Sequence, residues 1–236
     1  MRSAIVLCLL AVFCTVDATL LNILLLQVRN TKWAVESTMR QVELIRDSVK
    51  QDVDLTVLKK WLEQIEKHNK YIDPILDTIF REVEDAKARG KNAQSCYDAA
   101  LLIVRNINYD AYTDAQRCHE SAKDSINNNL GFIDHLITIG RGLLEELDNI
   151  FPDCYEKNSR LVDIFKLQSC IANQLGISKT GVKDLKTDAS TARSTAKYAS
   201  NIVLKEATDC LNNAYSIAQS KVSEARAAAT RCLNSV

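Results

Sequence analysis

From Val182 to Cys232 the chain holds neither proline nor glycine. Small or apolar residues recur there at alternating steps of three and four: Val182, Leu185, Ala189, Ala192, Ala196, Ala199, Val203, Ala207, Cys210, Ala214 and Ile217. The stripe continues through Val222, Ala225 and Ala229 to Cys232. That spacing is the seam of one long helix, and two cysteines sit on it.

Cys210 and Cys232 are 22 residues apart, as are Cys96 and Cys118 upstream. At 3.6 residues per turn that is about six turns, so each pair faces one side of its helix with about 33 Å between the two members. A disulfide tolerates about 7 Å between Cα atoms, so neither pair closes on itself. The two segments also match elsewhere: Ala100 with Ala214, Ile103 with Ile217, Ala111 with Ala225, Ala115 with Ala229, Arg117 with Arg231. Equal spacing on two helices suggests two cross-links between them. If the helices run antiparallel, Cys96 meets Cys232 and Cys118 meets Cys210, and the residue numbers of each pair sum to 328. Cys154 and Cys170 sum to 324, one turn away, so three bridges nest around one hairpin axis. A parallel arrangement keeps the spacing but gives the third pair no place in the register. Seam alanines would let the helices approach closely enough to be bridged.

The chain begins with the pattern of a secretory signal peptide over residues 1–18: Arg2, the apolar run Ala4–Val16, then Val16-Asp17-Ala18 at the cleavage positions. Cleavage after Ala18 removes Cys8 and Cys14 and leaves six cysteines, an even set suited to a disulfide framework in an exported chain. The competing reading is an uncleaved anchor, because Leu20–Val28 is also apolar; Asp17 and Asn22 interrupt it, and a spanning helix prefers a longer uninterrupted run. No other segment reads as a membrane span. Lys and Arg number 30 and Asp and Glu number 30. That balance argues against a nucleic-acid binder and against a polybasic membrane-surface protein. No Asn-x-Ser/Thr sequon is present.

Two prolines and six glycines are too few for a turn-rich β fold. Leu20, Leu24, Val28, Met39, Val42, Ile45 and Val49 form a helical stripe. Asp54 reads as the N-cap of a next helix with Leu55, Leu58, Leu62, Ile65 and Ile72 on one face. Asp73-Pro74 reads as a start or restart, and Ile75, Leu76, Ile79, Phe80 and Val83 extend to a stop at Gly90. A second region, residues 91–236, carries all six cysteines. There, Asn127-Asn128-Asn129 and Gly131 mark a kink or short break, Pro152 an end, and Leu161–Leu175 a short helix closed by Gly176. A loop to Gly181 then leads into the long helix. The expectation is an all-α fold, an elongated bundle of long antiparallel helices stapled by three disulfides. It is either one bundle over residues 19–90 and 91–236 or two packed helical subdomains meeting near Gly90.

The chemistry available for catalysis is sparse. His68, His119 and His135 are scattered, none with a second metal ligand at i+3 or i+4, and His119-Glu120 is not followed by a second histidine. No nucleophile elbow, phosphate loop or dinucleotide fingerprint occurs, and an even cysteine count leaves no free thiol. Glu145-Glu146 reads as a wet helix face. Tyr109, Tyr112, Trp33 and Trp61 read as packing or partner-contact residues. The stretch Leu130–Phe151, with Gly140 on its apolar side, and the apolar Leu20–Leu26 either form core or open onto a lipid surface or an apolar ligand.

An export segment, a helical chain and six cysteines in this order resemble the insect secreted proteins that carry the TsetseEP domain. The resemblance rests on Cys96-Tyr97-Asp98-Ala99-Ala100 through Arg117-Cys118, then Cys154, Cys170, Cys210 and Arg231-Cys232, and covers roughly residues 94–232. It implies an extracellular insect protein, associated in some relatives with the gut and with responses to microbes or parasites, without enzymatic activity or catalytic residues. The namesake's repetitive acidic C-terminal tail has no counterpart in these residues, so no role of that tail carries over.

The sequence therefore leads to a secreted, non-enzymatic helical protein of extracellular fluid or gut lumen that needs no cofactor and no metal. It would act by binding a protein or cell surface, with a carrier of lipid or another small apolar ligand as the alternative. An enzyme of unrecognised type has the least support, for want of an acid–base or nucleophile constellation.

Overall fold

The computed structural model describes the backbone of residues 2–158 and 164–236, and the side chains of residues 20–157 and 164–236. Among the described residues four helices make up the fold: α1 (Arg2–Ala88), α2 (Gln94–Asn129), α3 (Gly131–Asn158) and α4 (Ile164–Ser235). It is all-α, with no strand among the described residues. The side chains of the expected signal segment, Cys8 and Cys14 included, and the expected helix start at Leu161 lie outside the described residues.

The helices sort into two compact units, each discontinuous in sequence. One comprises Met1–Asp47 with Leu130–Ala196, the other Ser48–Asn129 with Lys197–Val236. Each unit is thus three-helical, and α1 and α4 contribute a segment to both. The division does not follow residue 90, since both units draw on both sides of Gly90.

In the first unit, α3 runs antiparallel to α1. Lys32 pairs with Asp148, and Arg46 Nη1 lies 2.8 Å from Asp134 Oδ1. Cys154 and Cys170 bridge α3 to α4 with Cα atoms 5.7 Å apart. The core is filled by Val35, Val42, Ile133, Leu147, Ile171 and Leu185. In the second unit, α2 runs antiparallel to α4 across Cys96–Cys232 and Cys118–Cys210, with Cα separations of 5.7 and 5.8 Å. The three disulfides are those of the nested register. At one end of this unit Ile79, Val83, Ala86, Ala93, Ala100 and Ala229 form a continuous buried cluster. Its alanines bring α2 and α4 close, because a single methyl leaves little between two backbones.

Gly90 ends α1 for a definable reason. Its φ is +81°, the left-handed region that costs only glycine nothing. The Gly90 amide donates to Lys87 O at 2.8 Å and the Lys91 amide to Ala86 O at 3.1 Å, the paired bonds of a Schellman cap. The break expected near Asn129 is also present, reduced to a single turn residue, the buried Leu130.

Several expected helix ends are not ends. Asp54 does not cap a new helix, Pro74 does not restart one, and Pro152 lies inside α3, which continues to Asn158. Gly176 closes nothing, and no loop leads to Gly181, because α4 runs unbroken from Ile164. Both prolines sit at exposed positions, where water can satisfy the carbonyl that loses its amide partner. Packing of the rest of the helix then outweighs a local cost of about 3 kcal/mol. Gly181 instead faces α3, where an added Cβ would lie 2.8 Å from Leu143 Cδ2.

The expected faces also shift. Leu55 and Leu62 are exposed, the latter 65%, while Val53, Val57 and Trp61 are buried with Ile72. Both stripes have helical spacing. The buried one carries Trp61 and His68, whose Nε1 and Nε2 atoms, respectively, find partners on α4 and α2. On α4, Leu211, Tyr215 and Ala218 take the interior, and Ile217 is 47% exposed. Leu20 is exposed, whereas Thr31, Val35 and Thr38 are buried. Both threonines bond back to their own helix, Thr31 Oγ1 to Gln27 O and Thr38 Oγ1 to Ala34 O.

Candidate functional site

The side chains with chemical potential gather in the second unit, where they serve packing. His68 is only 3% exposed. Its Nε2 lies 2.9 Å from Asn108 Oδ1; an amide oxygen only accepts, so Nε2 carries the proton and Nδ1 is bare. Nδ1 is fully buried and has no hydrogen-bond partner. The ring meets Tyr215 edge-on at 5.3 Å, and Tyr215 Oη accepts from Trp61 Nε1 at 3.0 Å. Burial pushes the His68 pKa below its ordinary value, only partly opposed by the bond to Asn108. Burial also raises that of Tyr215. The imidazole is therefore a core group, held between α2 and α4.

His119 is half-buried and lies 2.7 Å from Asp54 Oδ1, with Lys123 Nζ at 3.2 Å from the same oxygen. Partial burial would raise the Asp54 pKa, but the bonds from His119 and Lys123 outweigh it and hold the carboxylate low. Asp54, the expected cap, thus ties α1 to α2. A histidine–aspartate pair resembles part of a catalytic triad, yet no hydroxyl or thiol completes it among the hydrogen bonds of this site. Tyr112 covers Trp61 at 5.1 Å between centroids while staying half outside. Trp33, Tyr109 and His135 are exposed. No three His, Cys, Asp or Glu side chains among the described residues are placed to hold a metal ion. No helix among them is long and apolar enough to cross a membrane.

Two open troughs lie in the first unit. Glu145 and Glu146, on the wet face as expected, join Asn149, Asp153 and Ile177 along an open trough of about 530 Å³ between α3 and α4. A second trough of about 400 Å³ lies between α1 and α4. One wall presents Gln27 and Asn30 from α1; the other presents Lys179, Lys183 and Lys186 from α4. Thr31, Ala34 and Val182 form the floor. Lys179 Nζ donates to Gln27 Oε1 at 2.9 Å. Neither Lys183 nor Lys186 has an ion-pair partner among the described residues. The sequence reading missed this trough, though lysines at i, i+4 and i+7 on one helix flank are a readable charge pattern. Within Leu130–Phe151, Ile133, Leu147 and Ile150 are buried, and Gly140 is closed over by Met39.

No protein-family model, no curated protein and no solved structure matches this chain.

Proposed function

We propose that this chain is an exported, non-enzymatic binding protein that works through its surface. The observation that carries the reading is the open trough between α1 and α4, with a wall of three lysines facing uncharged amides. Its charge is available to a ligand, whereas the histidines and buried aromatics of the second unit are spent on interhelical contacts. Export is supported by three disulfides, which persist in oxidising compartments. The likeness of the cysteine order to TsetseEP-domain proteins favours extracellular fluid or gut lumen, and contact with microbial or parasite surfaces is the corresponding role.

The test uses the disulfide-bonded chain secreted from a eukaryotic host. It is immobilised and titrated with extracellular-fluid proteins and with isolated microbial surface polymers. Saturable binding to a component of either set is expected, and none in both sets would overturn the proposal. Native mass spectrometry before and after solvent extraction separates the carrier alternative, which requires a mass excess that extraction removes.

A further inference from the structure

We infer that the α1–α4 trough of the first unit is a binding site for an extended anionic polysaccharide. The inference deepens the binding-protein reading and rests on it. The chain is neutral as a whole, so a local run of uncompensated cations has to be explained locally. Lys179, Lys183 and Lys186 rise along α4 by about 6 and then about 4.5 Å, and Arg193 continues the same flank two turns on. A ladder of cations at such steps suits a ligand that repeats its anionic groups along its length at intervals comparable with one sugar unit.

The facing wall supplies the second half of the recognition. Gln27 and Asn30 both donate and accept, which suits hydroxyl groups between charges. Ser37 and Gln41, which follow on that flank of α1, are exposed and uncharged, so no carboxylate opposes the ligand there. The floor of Thr31, Ala34 and Val182 is shallow and made of small side chains.

Other anionic ligands fit less well. Single-stranded nucleic acid needs aromatic platforms, and none lines the trough. An anionic amphiphile would use one lysine and needs an enclosing apolar pocket, whereas this trough is open along its length. An acidic peptide draws specificity from pockets for its side chains, which the floor lacks. A second copy could offer the acidic flank with Glu145, Glu146 and Asp153, and its binding would appear as self-association.

The test titrates the full disulfide-bonded chain with a size-defined heparin oligosaccharide by calorimetry at several salt concentrations. The combined variant Lys179→Ala, Lys183→Ala, Lys186→Ala is expected to bind at least about tenfold more weakly. Its slope of log affinity against log salt should be shallower by roughly 2, as three cations are removed from a polyanion interface. A control with Lys59→Ala, Lys67→Ala and Lys205→Ala, three exposed lysines elsewhere, should bind like the parent. The inference is overturned by a parent chain that ignores the oligosaccharide, by equal losses in the control, by tighter binding of poly-L-glutamate, or by salt-sensitive oligomers that the trough variant abolishes. A parent that ignores heparin yet captures a saturable partner defeats this inference alone; a parent that captures nothing defeats the binding-protein reading as well.

Discussion

A Cβ built on Gly140 of α3 would lie 2.6 Å from both Cγ and Sδ of Met39 in α1, so Met39 fills the space that any other residue at 140 would claim. Gly140→Ala gains up to about 1 kcal/mol of helix propensity but must displace a side chain near its root. Overpacking of this kind costs about 1–3 kcal/mol, so a net loss is expected. Gly142 and Gly176 have open space around their Cβ positions. Gly142→Ala and Gly176→Ala should therefore stabilise by about 0.5–1 kcal/mol each. Urea unfolding of the three variants checks the contrast, and a stabilised Gly140→Ala would show that Met39 yields freely.

Removing Cys96–Cys232 while Cys118–Cys210 stays closed opens a ring made of two helical segments rather than a 136-residue separation. The chain-entropy relation then gives about 4 kcal/mol for the double alanine variant. Opening Cys154–Cys170, whose separation is 16, should cost about 3 kcal/mol. Denaturant midpoints under non-reducing conditions measure both, and a loss below about 1 kcal/mol in either would contradict the entropic account.

His68 gives the fold an acid limb. Asn108 on α2 and Tyr215 on α4 face the ring, and no charged group is bonded to it. Its folded pKa lies below the ordinary value of 6.5, so the unfolded chain takes up the proton first. The stabilisation is complete above about pH 6.5 and is lost as pH falls through the lowered folded pKa. Comparing stability at about pH 7 and about pH 5, the parent should lose more than His68→Gln, which keeps a donor for Asn108 but does not titrate. Equal losses would mean that burial of this imidazole is not what the acid limb reports. Asp54, held low, adds its own loss only at more acidic pH, below about 3.8.

Tyr215→Phe deletes the acceptor of the buried Trp61 indole N–H. An unpartnered buried donor costs about 1–3 kcal/mol, so a loss of that size is expected. The near-UV circular dichroism of Trp61 should change with it, while Trp33, 69% exposed, contributes a constant background. An unchanged midpoint would mean that the indole finds another acceptor.

The exposed ion pairs Arg81–Asp77, Lys70–Glu66 and Arg117–Asp114 are spaced at three or four residues along single helices and contribute little individually. The buried stripes and the bridges carry the fold.

Much of this was legible in the residues. The three-four periodicity and the near absence of proline and glycine determine that the chain is helical, because the period of side-chain direction is a local property. The equal cysteine spacing narrows the pairing of α2 with α4 to one antiparallel and one parallel register, because a disulfide tolerates so narrow a separation, and only the antiparallel one has a place for Cys154–Cys170. Gly90 could be read as a stop because a glycine after a periodic stripe is the usual left-handed cap.

Only the tertiary structure decided the rest. Pro74, Pro152, Gly176 and Asp54 look like punctuation, yet each lies within a helix whose packed face outweighs the local preference. Leu55 and Leu62 carry as good a helical stripe as Val53, Val57 and Trp61. The second set is buried because Tyr215 stands across from Trp61 and Asn108 from His68. The lysine wall of α4 became a site only when α1 placed uncharged amides opposite it. Periodicity says that a helix has a face, but which face is buried, and what a charge meets, depends on residues far away in the chain.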